Sequence, residues 1–455
     1  MRWRSSQEVP DIDPGLPAEP GNVMSFFRNT AVFMGSRTIY SLLVMLVGVL
    51  TARWLGVDER GHYAIFFALT GLLSNAINLG IAPSNTYFLN RENQPLDVIF
   101  SNSAIFVLGV AVVLATVCVG GAFFFPLSIG VGEDFAWGAL WLGGVSIVID
   151  IVFSGIVLGR QLYWLQSIAV IVNAVLLLLA TLAILLFDGM LVWAIGLRVV
   201  ALAIFALGLM LALWWQVRPL TFAPSLPVLR AQLGYGVKNW FQNLVGLVNY
   251  RGYLLGVGAF FGPAAAAYFS VAMLLVEATR FVPETVGTML LPKLVSTEGR
   301  EASAAFAART ARNTFFLAIL TVAVLLLITP LLIVYVFGSD YEPSIVAAEI
   351  MLIGSLGGFF YQILTRYFSS EAKQRYTIYS ALASLAVGGL LAVALVPTLG
   401  FSGAAIAFAC GQLLSGGLML YFFNRVTGVP IRQCLVIDRT DLEFFGNLIR
   451  RVARR

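Results

Sequence analysis

The stretch "QVRPLTFAPSLPVLRAQLGYG", residues 216–236, puts three prolines and two arginines between two long apolar runs. Proline removes a helical hydrogen bond, and a guanidinium is costly in hydrocarbon, so this segment reads as a connection outside the lipid. Six apolar segments precede it and six follow it. The chain therefore reads as two halves of six spans, which decides the fold class.

The composition supports a chain dissolved in lipid. Of 455 residues, 59% are hydrophobic and 11% charged. Mean hydropathy is +0.89. Soluble domains carry about 25% charged residues. The apolar segments run over about 28–52, 62–88, 99–125, 135–158, 163–187, 191–215, 233–258, 264–292, 312–336, 344–365, 375–397 and 401–424. Each is long enough to cross a bilayer as a helix. The halves are weakly alike: "LGVDERGHYAIFFALTGLL" (55–73) resembles "FGPAAAAYFSVAMLLVE" (261–277), with a glycine ending one span and a tyrosine opening the next. Two six-span repeats imply a transporter with its site between the lobes.

Charge in the joins orients the spans. The joins at 126–134, 188–190, 259–263, 337–343 and 398–400 hold no Lys or Arg. The alternate joins hold Arg91, Arg160, Arg218 with Arg230, Lys293 with Arg300 and Arg309, and Arg366 with Lys373. By the positive-inside rule these face the cytoplasm, and both termini lie there. The exception is the first outer loop, with Arg53 and Arg60. Residues 1–23 are Pro- and acid-rich and read as a disordered cytoplasmic tail. The expected organisation is a lobe at 24–215, a linker at 216–232, a lobe at 233–426 and a basic amphipathic tail at 427–455 lying on anionic lipid.

Polar residues inside the spans point to a cavity. The intramembrane charges are Arg37, Asp150, Arg198, Arg251, Glu277, Arg280, Glu284 and Glu349. Each costs about 2.5–3.5 kcal/mol at a helix centre unless it meets a cavity or a partner. Segment 7 repeats Lys238, Asn239, Gln242, Asn243 and Asn249 at helical spacing, and segment 2 repeats Asn75 and Asn78. Such rows serve either as helix–helix hydrogen bonding or as cavity lining. In "VEATRFVPE" (276–284), Glu277 and Glu284 are spaced to pair with Arg280 along one face, beside a kink at Pro283. That leaves Arg37, Arg198 and Arg251 without a local acid, which suits a cavity that receives an anion. Arg37, Arg251 and Arg280 are the candidates for holding a diphosphate. The asparagine and glutamine rows with Lys238 are the candidates for cavity lining. Asp150, Glu277 and Glu349 are the candidates for ion coupling.

Several classes are excluded. Cys118, Cys410 and Cys434 form no metal-type cluster, and His62 is the only histidine. No catalytic set, metal site or cofactor is expected, and there is no phosphate loop of the GxxxxGK[ST] kind. The first inner loop, "FLNRENQPLDV", lacks the signature of the major facilitator superfamily.

The opening "FFRNTAVFMGSRTIYSLLVMLVGVLTARWLGVDERGHYAIFFALTGLL" resembles bacterial polysaccharide flippases of the Wzx type, through Ala52, Arg53, Leu55, Gly56, Gly61 and Tyr63. "YFSVAMLLVEATRFVPETVGTMLLPKLVS" is similar to that family's eighth span, ending at Pro292. The resemblance implies the multidrug/oligosaccharidyl-lipid/polysaccharide exporter fold: about twelve transmembrane helices in two six-helix lobes around a central cationic cavity. It implies a flippase, not an enzyme, that moves undecaprenyl-diphosphate-linked oligosaccharide across the bacterial inner membrane for O-antigen, capsule or exopolysaccharide synthesis. Its partners would be the lipid-linked oligosaccharide, membrane lipids and a polysaccharide polymerase or assembly complex, with no nucleic acid. Two relatives remain as alternatives. Lipid II flippases of the MurJ type place an arginine five residues before the proline, whereas Arg280 is three before Pro283. Drug/cation antiporters of the superfamily place an acid in the first span, and this one has none.

Overall fold

The computed structural model describes residues 20–437 apart from 125–129, 188–190, 218–219, 281–282, 285, 288–289, 291–293, 295–298 and 372. The expected N-terminal tail up to residue 19, Pro292, Lys293 and the tail beyond 437 lie outside the described residues. All regular structure among the described residues is helical. The long helices are α1 (Pro20–Ile77), α3 (Leu96–Phe124), α4 (Glu133–Gly159), α5 (Tyr163–Ala183), α6 (Leu191–Gln216), α7 (Leu226–Thr279), α8 (Arg300–Leu331), α9 (Ser344–Ser370) and α10 (Arg375–Thr427). Two short helices, α2 (Ile81–Asn90) and α11 (Ile431–Leu435), complete the set, and a π-helical turn, Leu332–Phe337, extends α8.

Three of the long helices cannot be single crossings. The 58 residues of α1 would stretch to about 87 Å at 1.5 Å per residue, nearly three times the hydrocarbon thickness. The helix breaks at Gly56, with φ 71° and ψ 177°. α7 breaks in the same way at Gly262, with φ 82° and ψ −176°. α10 breaks at Gly400. Each is therefore two limbs joined at a tight glycine corner, and the nine long apolar helices make about twelve crossings. The protein is an all-α, multi-pass membrane protein in two six-helix lobes around a central cavity.

The matching corners carry the internal repeat. At φ near +75° with ψ near 180°, a Cβ is strained by about 1–3 kcal/mol, so glycine is the residue that fits. Gly56 and Gly262 stand at corresponding points of the two similar stretches and have nearly the same dihedral angles. The two corners also touch, because Gly61 lies against the backbone of Pro263.

The sequence places a connection over 216–232, whereas α7 already begins at Leu226, with Pro227 in its first turn, where a missing N–H costs nothing. A buried polar knot holds that start in place. Asn102 Nδ2 donates to Gln232 Oε1 at 3.1 Å, and Gln232 Nε2 donates to Asn85 Oδ1 at 2.8 Å. Tyr87 and Tyr235 stack at 4.3 Å between centroids. The far end of α7 stops at Thr279, four residues before Pro283.

Candidate functional site

The first limb of α1 and the second limb of α7 line a cavity of about 460 Å³. Thr38, Tyr40, Ser41 and Met45 come from α1; Leu274, Glu277 and Ala278 come from α7, with Arg280 and Glu284 just beyond it. A second cavity of about 160 Å³ lies nearer the glycine corners. The two share Val44, Leu274 and Glu277, so they lie side by side. The larger one reaches the arginine-rich end, where the side chains of Arg280 and Glu284 are 40% and 48% exposed.

The smaller cavity is cationic. Arg60, Arg198 and Arg251 line it against the single acid Glu277. They arrive from three elements: the second limb of α1, α6, and the first limb of α7. Arg251 Nη2 lies 3.3 Å from Glu277 Oε1. Arg198 Nη1 donates to the Tyr63 hydroxyl at 2.7 Å. Its guanidinium stacks on Phe67, 3.9 Å from the ring centroid. Arg60 lies 5.4 Å from the Tyr63 centroid on its own helix. Arg60 is buried, at 7% exposure. Among the described residues, the Nε–H groups of both Arg60 and Arg198 are buried without a hydrogen-bond partner. An unsatisfied buried donor on a charged group costs upwards of about 1–3 kcal/mol. Two such donors beside one tyrosine are a standing demand for an anion.

The acids divide differently from their sequence spacing. Glu277 and Glu284 are both expected on Arg280, but Glu277 pairs with Arg251 on the other limb of the same hairpin, and among the described residues Arg280 keeps only Glu284, at 3.5 Å. The corner at Gly262 folds residue 251 back beside residue 277, which no helical period predicts. Arg280 also lies 5.2 Å from the Tyr250 centroid, and Arg251 5.6 Å from it. The structure thus brings Arg251 and Arg280 to one tyrosine, with Arg251 in the smaller cavity and Arg280 in the larger. Arg37 is exposed and lines neither cavity, although its charge acts on Tyr40, which does.

The polar rows are placed as follows. Asn75 accepts at its carbonyl from Trp240 Nε1, and Asn78 Oδ1 accepts from the Gly80 N–H, so this row braces the break between α1 and α2. Asn249 donates to Ser384 Oγ at 2.9 Å, joining α7 to α10. Gln242 is half-buried and Asn243 exposed, and neither lines a cavity. Lys238 and Asn239 are helical, but their side chains lie outside the described residues. Glu349 is half-buried in α9. Among the described residues no group of His, Cys, Asp and Glu could hold a metal ion.

Arg60 and Arg53 are the residues that sequence reasoning assigned to a loop. Their signal was their exception to the charge rule. Arg60 belongs to the cavity. Arg53 reaches across to the π-helical turn, where its Nε donates to the Val336 carbonyl at 2.7 Å and Nη2 to that of Tyr335. The Tyr341 hydroxyl returns the contact, donating to the Ala52 carbonyl at 2.9 Å. With Gly61 on Pro263, these bonds tie the elements together at the corner end. Removing Arg53's two bonds should cost this tie about 1 kcal/mol, after discounting for exposure. In Arg53→Ala, spin labels at Asp58 and Glu342 should therefore report a longer-distance population raised about five-fold.

A family profile described as polysaccharide biosynthesis protein matches residues 50–346. That span includes the corners at Gly56 and Gly262, Arg53 and the whole arginine cluster. No curated protein matches the sequence. Among solved structures, the lipid II flippase MurJ in an inward closed conformation superposes with a TM-score of 0.74 at 15% identity, covering 89% of each chain. An inward-facing multidrug resistance MATE family transporter of the MOP superfamily gives 0.70 at 17% identity, over 88% of this chain and 98% of that one. A MOP superfamily transporter from Pyrococcus furiosus, whose title speaks of a binding pocket of reverse polarity, gives 0.64 at 17%, over 88% and 95%. At such identities the likeness is one of fold. With the profile covering well over half its length, the chain is a member of the polysaccharide biosynthesis protein family, built on the fold of MOP-superfamily transporters.

Proposed function

We propose that the protein is a flippase that carries an undecaprenyl-diphosphate-linked oligosaccharide across the bacterial cytoplasmic membrane by alternating access, for surface polysaccharide synthesis. The observation that carries this reading is the pair of unpartnered guanidinium Nε–H groups on Arg60 and Arg198, beside Arg251. A diphosphate supplies the anionic oxygens that these donors lack, and arginine forks match such oxygens bidentately. The larger cavity lies beside that cluster and offers Thr38, Tyr40 and Ser41 as hydroxyl partners for sugar.

The positive-inside rule puts the arginine-rich end, and with it both termini, in the cytoplasm. On that orientation the contacts of Arg53, Tyr341 and the paired corners lie at the outer end, as an inward-facing state requires. The charge balance of the cluster weighs against a cation antiporter, since three arginines and one glutamate would repel a cationic drug.

The test is reconstitution. In liposomes, the purified chain should speed the flipping of a fluorescent polyprenyl-diphosphate-N-acetylglucosamine, read by quenching from one leaflet. A polyprenyl-monophosphate sugar should move at least about ten-fold more slowly, since one lost charge-assisted contact is worth about 1.5–3 kcal/mol. Equal rates for the two lipids, or efflux of a cationic dye in place of either, would sink the proposal.

A further inference from the structure

The three acids expected to couple ions do not share a place. Asp150 Oδ1 accepts from Ser154 Oγ, one turn on along α4, at 3.1 Å. Glu349 lies in α9. Neither lines a cavity, whereas Glu277 lines both. In the smaller cavity it is the acid that Arg60, Arg198 and Arg251 face.

A carboxylate works against an anion site, because it repels at close range the ligand that the arginines attract. The geometry shows how the two coexist. Arg60 and Arg198 keep buried Nε–H groups without a partner among the described residues. Arg251 is the arginine of the three that already holds an anion, Glu277. Its hold is loose. The contact runs from Nη2 to Oε1 alone, at 3.3 Å. A guanidinium and a carboxylate at full strength form two parallel bonds of about 2.7–2.9 Å. The two side chains also stay 38% and 34% exposed, and accessible ion pairs contribute little. Little is therefore lost when another anion takes the guanidinium. The larger cavity, which Glu277 also lines, gives its side chain room to withdraw.

We infer that Glu277 is an internal competitor for Arg251. It occupies the guanidinium in the empty protein, yields it to the diphosphate of the substrate and takes it back on release. Three arginines without a competitor would bind tightly and let go slowly, which a carrier cannot do. The lipid and the release step rest on the transport reading above; the competition itself rests on the geometry.

Calorimetric titration of the purified full chain in detergent with inorganic diphosphate tests the competition without transport. Glu277→Gln should bind it at least about five-fold more tightly than the parent, since no pair is broken and no carboxylate repels the ligand. Glu277→Ser, neutral and smaller, should tighten binding as well. Glu284→Gln removes the same charge beside Arg280, outside the smaller cavity, and should shift the affinity by less than about two-fold. A glutamate that merely positions Arg251 gives the opposite sign, because its loss lets the guanidinium wander and weakens binding. Equal or weaker binding in both neutral variants overturns the competition. So does tightening by Glu284→Gln as large as that by Glu277→Gln, and so does a failure of parent and variants alike to bind diphosphate.

Flipping of the fluorescent polyprenyl-diphosphate sugar tests the release step. Glu277→Gln should half-saturate at a lipid concentration at least about five-fold lower, with a maximal rate at least about three-fold lower. A maximal rate at or above the parental one overturns the role in release. Tighter diphosphate binding by the neutral variants of a parent that flips nothing overturns the transport reading and leaves the competition standing.

Discussion

Replacing Arg60 and Arg198 together by alanine should abolish transport while leaving the protein folded and close to its parental stability. Each side chain keeps a buried Nε–H without a partner, so each costs the empty protein free energy. Removing both relieves that cost and the mutual repulsion of like charges, which offsets the loss of Arg198's bond to Tyr63 and its stacking on Phe67. Buried structural charges behave in the opposite way, because loss of one partner strands the other. The functional loss follows from the same donors. Each charge-assisted bond to a phosphate oxygen is worth about 1.5–3 kcal/mol, so the single variants should bind a diphosphate lipid on the order of 10–100-fold more weakly. The double variant should fall below detection. Two measurements on one preparation decide the matter: the melting temperature in detergent and the flipping rate in liposomes. A double variant that melts well below the parent would make the pair structural. One that flips at the parental rate would remove the cluster from the substrate path.

Gly61→Ala should force the corner end of the molecule open. A Cβ at this position would lie 1.8 Å from the Pro263 carbonyl oxygen and 2.3 Å from its carbon. Both sides of that contact are backbone, so no rotamer relieves it, and the two corners must part. Overpacking of this kind costs about 1–3 kcal/mol, here charged to the closed arrangement alone. The population with an open corner end should rise on the order of 10–100-fold. The reporter is a cysteine at Ser270, which lines the smaller cavity just past the Gly262 corner, in a background lacking Cys118, Cys410 and Cys434. A membrane-impermeant maleimide should label it much faster in Gly61→Ala, and flipping should slow at least about ten-fold because the closed state is no longer reached. Equal labelling with and without the substitution would mean that corner contact does not gate the path.

Much of the architecture was legible one residue at a time. Span count and the all-helical class follow from hydropathy, proline and the shortage of charge. These are local or compositional properties, and lipid enforces them, since every backbone group must be satisfied within its own helix. The similarity around Gly56 and Gly262 was legible too, and the structure explains it as one dihedral requirement met twice. The site was legible only in kind. Intramembrane arginines in excess of nearby acids pointed to an anion. The expected trio of Arg37, Arg251 and Arg280 shares only Arg251 with the smaller cavity's cluster of Arg60, Arg198 and Arg251. The reason is that Arg60 follows the corner by four residues, where it counts as loop by sequence, yet the second limb turns it back into the lobe.

The chain by itself thus determined what is spent in lipid, where it must turn, and that positive charge is kept inside the membrane. Tertiary structure alone decided which charges meet. Arg251 finds Glu277 because a hairpin brings residues 26 positions apart side by side. Arg198 finds Tyr63 across 135 residues, and Arg53 finds the carbonyls of the π-helical turn across more than 280. A guanidinium's partner is set by distance in three dimensions, because Coulomb energy and hydrogen bonds decay over a few ångströms whatever the separation along the chain. Helical period predicts only neighbours within a turn or two. The arginine cluster and the corner contacts are therefore properties of the fold, assembled from residues that are unremarkable in sequence.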